Sequence, residues 1–181
     1  MVEELLQMLE SEEPAETSVA NLTEDSESDT EELHAISDHA LKGLEGNHTL
    51  RLKGKIQRFE VIILVDSGSS TSFISSNLAE QLKGAEPLKK VMKVKVANGE
   101  ILQGDSWFPN CQWKCQGATF GTDFKVLPLD CYDAVIGMDW LQAHSPMQVD
   151  WIKKWMIIPA GKQQHKLQGI TANTSECEEI S

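Results

Sequence analysis

The sequence predicts a mainly β fold with two short helices, arranged as a barrel or a sandwich. Many short apolar runs rich in β-branched residues alternate with turn residues, which is typical of strands. Only two segments, 75–82 and 138–144, place apolar residues at helical spacing. The length of 181 residues corresponds to one domain with tails.

Charge divides the chain into an acidic N-terminal segment and a nearly neutral remainder. Residues 1–40 contain 13 Asp or Glu and no Lys or Arg, whereas the other 141 residues contain 15 acidic and 16 basic residues. We therefore predict an acidic, largely disordered linker over 1–45, a folded domain over 46–160 and a flexible tail over 161–181. Neither part has the basic surface of a nucleic-acid-binding protein, so direct binding to nucleic acid is not expected.

The remaining composition gives no sign of a membrane, metal or cofactor. No apolar stretch approaches the roughly 18 residues of a membrane span, and the acidic N-terminus lacks the basic region of a signal peptide. We expect a cytoplasmic location and free cysteines, whose spacing fits no paired C-x-x-C zinc site. His34, His39 and His48 are predicted to be solvent-exposed rather than metal ligands.

The strands are predicted in chain order, with one strong hairpin among them. Asn98-Gly99 is the turn of that hairpin, because this dipeptide readily adopts the positive φ angles of a two-residue turn. A second turn is predicted near Gly121. The predicted strands cover 49–58, 59–65, 91–96, a strand from 101, 113–120, 124–127, 132–136, 147–151 and 155–158.

The most informative stretch is V-I-I-L-V-D-S-G-S-S-T-S at 61–72. Five apolar residues predict a strand buried on both faces, and Asp66 stands at its end, where the chain must turn. A carboxylate at the margin of a core needs partners, which the following hydroxyls can supply. By itself, however, an Asp-Ser-Gly sequence is more often a simple turn than a catalytic site.

Three motifs together resemble the retropepsin family of aspartic proteases, and most closely the protease of gypsy-type long-terminal-repeat retrotransposons. The first is D-S-G-S-S-T at 66–71 with F-I-S at 73–75. The second is the hairpin V-A-N-G at 96–99, where the family has its flap. The third is Y-D-A-V-I-G-M-D-W-L at 132–141. The resemblance covers roughly residues 49–159 and implies a retropepsin-like closed barrel with one lobe per chain.

The resemblance also implies roles for individual residues. Asp66 would be the catalytic carboxylate, sharing a water and one proton with a second aspartate about 3 Å away. Since the chain contains one Asp-Ser-Gly motif, the second aspartate would come from another copy in a homodimer. Support of the active-site loop would come from Ser67, Gly68 and Ser69. Substrate binding by the flap would involve Val96, Ala97, Asn98 and Gly99. Ile136 and Gly137 would pack behind the active-site loop.

Two functions of different class follow from the resemblance. The first is an aspartic endopeptidase that cleaves a retrotransposon polyprotein, inside the cell and in virus-like particles. The second is a catalytically silent retropepsin-like module for dimerisation or peptide binding. A third reading is a β-rich adaptor domain whose Asp-Ser-Gly sequence is fortuitous.

Overall fold

The structure is a computed structural model that describes residues 32–171. The parts of the predicted linker and of the predicted tail at residues 1–31 and 172–181 lie outside the described residues. Within the described part, no helix is long and apolar enough to span a membrane.

Residues 32–171 form eleven strands and three short helices. The strands are β1 (Leu33–Ile36), β2 (Thr49–Ile56), β3 (Phe59–Asp66), β4 (Phe73–Ser75), β5 (Glu86–Val96), β6 (Ile101–Cys115), β7 (Ala118–Leu127), β8 (Ala134–Ile136), β9 (Gln148–Asp150), β10 (Trp155–Ala160) and β11 (Gln163–Gln168). The helices are α1 (Asp38–Lys42), α2 (Ser76–Ala79) and α3 (Met138–Ala143).

Six strands close into a barrel. In the eight-stranded sheet β6, β2, β3, β8, β4 and β7 follow one another, and β7 pairs back onto β6. Strands β5 and β1 extend this sheet beyond β6, and β9, β10 and β11 form a separate three-stranded sheet. Closure leaves no free edge among the six barrel strands. The predicted mainly β class and closed barrel are confirmed.

Strand β3 has buried side chains on both of its faces. Ile63 and Val65 pack into one hydrophobic cluster, and Leu64 packs into a second cluster on the opposite side. Strand β3 runs antiparallel to β2 and parallel to β8. The continuous apolar run at 61–65 therefore matches a strand that is covered on each side.

The hairpin between β6 and β7 turns earlier than predicted. Gln116 (φ 48°) and Gly117 (φ 85°) make the turn, whereas Gly121 lies inside β7. A Cβ at Gly121 would lie 2.2 Å from Oδ1 of Asn110 on β6. Gly121 is therefore explained by close packing between strands rather than by a turn.

Ordered structure extends into both segments predicted to be flexible. Strand β11 lies within the predicted tail and pairs with β10, with Leu167 fully buried. Strand β1 and helix α1 lie within the predicted linker and bury Ile36 and Ala40 in the second hydrophobic cluster. Isolated apolar residues in a polar segment give only a weak sequence signal for a strand or helix. In both segments the residues against which they pack are distant in sequence.

Two residue-level predictions also need correction. His34, predicted to be exposed, is 6% exposed. Cys111 and Cys115 are free and buried as expected, but Cys131 is disulfide-bonded, so the prediction of free thiols is wrong at that position.

Candidate functional site

Asp66 is the last residue of β3 and is almost completely buried, with 2% of its surface exposed. Its Oδ1 accepts a hydrogen bond from the Gly68 backbone N–H at 2.9 Å, and its Oδ2 accepts one from Ser69 Oγ at 3.0 Å. The Ser69 N–H also donates to the Asp66 carbonyl at 3.2 Å. The carboxylate is thus fixed by the loop that follows it, as the sequence suggested from its hydroxyl-rich composition.

Gly68 and Ser67 form the tip of this loop. Gly68 is exposed and Ser67 is half-exposed, in contrast to the buried Asp66 and Ser69. A Cβ at Gly68 would lie 3.1 Å from Asp66 Oδ1 and 3.2 Å from Ser37 Cβ. A larger residue would therefore crowd both the carboxylate and the chain that lies over it.

The third motif supports the loop from behind. Ile136 is buried at the end of β8, beside Val65 in the parallel β3–β8 pair. A Cβ at Gly137 would lie 2.4 Å from the Thr71 carbonyl oxygen, which only glycine avoids. The Met138 N–H donates to the Ser69 carbonyl at 2.8 Å, so the start of α3 is tied directly to the loop.

Asp139 is a further part of this support, to which the sequence analysis assigned no role. Its Oδ1 accepts a hydrogen bond from Ser72 Oγ at 2.7 Å, and its Oδ2 accepts one from the Ser72 N–H at 3.1 Å. Ser72 Oγ in turn accepts from the Gly137 N–H at 3.1 Å. An acidic residue in the first turn of a helix is a common helix signal, which is why its contact with the loop could not be read from sequence.

The predicted hairpin at Asn98-Gly99 joins β5 to β6. The Gly99 N–H donates to the Val96 carbonyl at 2.9 Å, and Gly99 has φ of 91° with open space around it. Val96 is buried, whereas Ala97, Asn98 and Gly99 are exposed. The hairpin therefore has a buried base and an exposed tip.

A segment that the sequence did not connect with Asp66 lies between this hairpin and the loop. We call residues 33–42, comprising β1 and α1, the strap. On one side β1 pairs in parallel with β5, from Leu33 opposite Lys93 to Ile36 opposite Val96. On the other side the strap contacts the loop at 69–71, so that it fills the space between the two.

The contacts between strap and loop are specific. The Ser70 N–H donates to the Ala35 carbonyl at 2.9 Å, and the Ala35 N–H donates to Ser70 Oγ at 2.9 Å. The Ser37 N–H donates to Ser69 Oγ at 3.2 Å. Ser37 Oγ donates a hydrogen bond directly to Asp66 Oδ2 and accepts one from the Ala40 N–H, as the N-cap of α1.

His34 also fixes the strap. Its Nδ1 lies 2.8 Å from Thr71 Oγ1, and both residues are buried. Burial, and next the charge of Lys125, lower the pKa of His34 from its ordinary value, although Glu32 and Asp139 act in the opposite direction. The docked strap therefore favours a neutral imidazole.

The site is built around a single carboxylate, that of Asp66. Within residues 32–171, no group of three or more His, Cys, Asp or Glu side chains could hold a metal ion. The hydrogen bonds described for Asp66 come from hydroxyl and backbone N–H groups, and none is to a second carboxylate.

A family model and a solved structure with a TM-score above 0.5 agree with this fold. A family model of the PEG10/RTL1 protease domain matches residues 62–166. Among solved structures, the retroviral protease-like domain of Ddi1 from Leishmania major has 19% identity and a TM-score of 0.52, covering 69% of this chain and 96% of its own. A retropepsin-like aspartic protease from Rickettsia conorii has 14% identity and a TM-score of 0.39, covering 68% of this chain and 85% of its own. A comparison with curated proteins found no match.

Proposed function

Since the chain belongs to the PEG10/RTL1 protease domain family, we propose that it is an aspartic endopeptidase that acts as a homodimer. The observation that carries this proposal is Asp66 at the end of β3, with its two carboxylate oxygens held separately by the Gly68 N–H and Ser69 Oγ. Such fixed hydrogen bonds orient a carboxylate for proton transfer.

In the proposed mechanism, Asp66 of each subunit holds one water molecule between the two carboxylates. One carboxylate, unprotonated, accepts a proton from the water as it attacks the peptide carbonyl carbon. The other, protonated, donates a hydrogen bond to the carbonyl oxygen and stabilises the tetrahedral intermediate. Because two carboxylates about 3 Å apart do not both carry charge, one shared proton is sufficient.

The number of active-site motifs supports the proposal of a second copy. The sequence has one Asp-Ser-Gly motif, and the described residues form one barrel. In a symmetric dimer the exposed loop tip at Ser67 and Gly68 would face its counterpart across the two-fold axis. The exposed hairpin tip at Ala97–Gly99 would close over the bound peptide.

The proposed substrate is a polypeptide in extended conformation, namely the polyprotein of the retrotransposon from which such a protease would be translated. An extended peptide can form main-chain hydrogen bonds with an edge strand, and β5 offers such an edge on the side that β1 now occupies. Apolar side chains near this edge favour apolar residues beside the cleaved bond.

The test is hydrolysis of a panel of extended apolar peptides by the wild-type protein and by Asp66→Asn. Asp105→Asn is the matched control, because Asp105 is an exposed residue of β6. Loss of cleavage in Asp66→Asn alone is expected. Equal cleavage by both variants and the wild type would show that the catalytic assignment is wrong.

The alternative of a silent binding or dimerisation module is distinguished by the same proteins. Peptide binding and dimerisation in sedimentation experiments, without hydrolysis by any variant, would favour that alternative. Full activity in a strictly monomeric species would contradict the homodimer.

A further inference from the structure

We propose that the strap, residues 33–42, is an autoinhibitory segment that occupies the peptide-binding cleft and must leave before a peptide can reach Asp66. This inference rests on the proposed function and adds a regulatory step to it. It is carried by three independent sets of contacts: with the hairpin strand, with the loop, and with the carboxylate itself.

The first set places the strap where an extended peptide would bind. β1 is paired with β5 along four residues, from Leu33–Lys93 to Ile36–Val96. β1 is the edge strand of the eight-stranded sheet, and it covers the end of β5 that leads into the hairpin, Lys93–Val96. A peptide that adds to β5 would therefore have to displace β1, because a strand edge accepts one partner at a time.

The second set of contacts joins the strap to the loop, as a bound peptide would be joined. The main chain of an extended peptide in the cleft also needs hydrogen-bond partners on the loop side, and the main chain of Ala35 has them. Its N–H donates to Ser70 Oγ and its carbonyl accepts from the Ser70 N–H, each at 2.9 Å. Apolar anchors add to these bonds, since Ile36 is 2% exposed and Ala40 is fully buried.

The third set of contacts keeps water and substrate away from the Asp66 carboxylate. Ser37 Oγ donates directly to Asp66 Oδ2, the oxygen that Ser69 also contacts. With the strap in place Asp66 is 2% exposed, which leaves no room for a water and a peptide carbonyl. The close approach of Ser37 to the loop depends on Gly68, whose missing Cβ would meet Ser37 Cβ at 3.2 Å.

The experiment uses the full chain with Ala35→Pro, which removes the N–H that bonds to Ser70 and disfavours the β1–β5 pairing. Ile36→Asp releases the strap by a different route, through a buried charge. The control is Leu33→Ala, which shortens a 58% exposed side chain of the same strand and keeps its backbone bonds. The probe is a fluorescent apolar peptide carrying a hydroxyethylene group in place of one amide, and its affinity is measured beside peptide hydrolysis.

We expect Ala35→Pro and Ile36→Asp to bind the probe about tenfold or more tightly than the wild type, because a cleft open only part of the time lowers apparent affinity by that fraction. Leu33→Ala should match the wild type. A synthetic peptide of residues 32–43 should compete with the probe for the released variants, which also shows that their clefts are folded.

The outcomes separate the strap from the endopeptidase activity. Tighter probe binding without hydrolysis by any variant supports the strap and contradicts the proposed enzyme. Hydrolysis by the wild type with probe affinity unchanged in both released variants overturns the autoinhibitory role and leaves the enzyme intact. Absence of probe binding in every variant also overturns the autoinhibitory role.

Discussion

Ser72 Oγ donates a 2.7 Å hydrogen bond to Asp139 Oδ1 and thereby joins the chain after the Asp66 loop to the start of α3. The same hydroxyl accepts from the Gly137 N–H at 3.1 Å. Ser72 is completely buried, so its polar groups depend on these partners. The position of the loop is therefore set by a residue 67 positions further along the chain.

Asp139→Ala is expected to destabilise the protein by about 1–3 kcal/mol, because it leaves the buried Ser72 hydroxyl and N–H without an acceptor. The measurement is the free energy of unfolding in denaturant. Asp105→Ala, at an exposed site on β6, is the control and should change stability by less than about 0.5 kcal/mol. Equal stability of the two variants would contradict the role assigned to Asp139.

We expect Gly137→Ala to lower the free energy of unfolding more than a glycine substitution that affects only backbone conformation. The added Cβ would lie 2.4 Å from the Thr71 carbonyl oxygen and 2.8 Å from that of Ser69, so the loop must shift. We expect a loss of about 1–3 kcal/mol or more. Gly161→Ala is the comparison, since Gly161 has φ of 62° with nothing within 4 Å and should cost about 1 kcal/mol. A smaller loss at Gly137 than at Gly161 would be inconsistent with the packing described.

Docking of the strap is expected to weaken as the pH falls. Its His34 has a lowered pKa through burial and Lys125, with Glu32 and Asp139 opposing, and its Nδ1 contacts the Thr71 hydroxyl. Protonation therefore favours the undocked strap. The stabilisation by His34 is fully present above the ordinary pKa of about 6.5 and declines as the pH falls below it.

This dependence can be followed by amide hydrogen exchange of Ser70 and Ser37, corrected for the intrinsic effect of pH, between about pH 8 and pH 5. Protection should decrease at the acidic end in the wild type. His34→Gln, which does not titrate in this range, should show a smaller dependence. The same decline in both proteins would exclude His34 as the cause.

Cys111 and Cys115 are expected to react very slowly with alkylating reagents in the native protein. Burial raises the pKa of each thiol to about 11, so at pH 8 only about one in a thousand is ionised. Mass spectrometry of the two peptides after native alkylation, compared with alkylation in denaturant, checks this. Rapid native labelling of either residue would contradict its burial.

Much of the barrel could be predicted from sequence because its signals are local. The apolar run at 61–65 is a strand buried on both faces, Asn98-Gly99 is a hairpin turn, and Asp66 comes at the end of its strand. The turn after β6 was predicted near Gly121, whereas it lies at residues 116–117. Both places contain a single glycine, so the local sequence does not distinguish them. In the structure Gly121 lies within β7 and leaves room for the Asn110 side chain of the neighbouring strand, which is a tertiary contact.

The fold class and the Asn98-Gly99 hairpin can be predicted from composition and short-range periodicity, and the acidic segment and the single Asp-Ser-Gly motif can be read directly from the sequence. What lies against Asp66 and the residues that follow it depends instead on the three-dimensional arrangement of the chain. The contacts of Ser37, His34 and Asp139 join residues 29, 37 and 67 positions apart in the chain. No local pattern specifies such pairs, because they depend on how the closed barrel brings distant segments together. The sequence identifies Asp66 by its motif, and the structure shows that the strap covers its carboxylate.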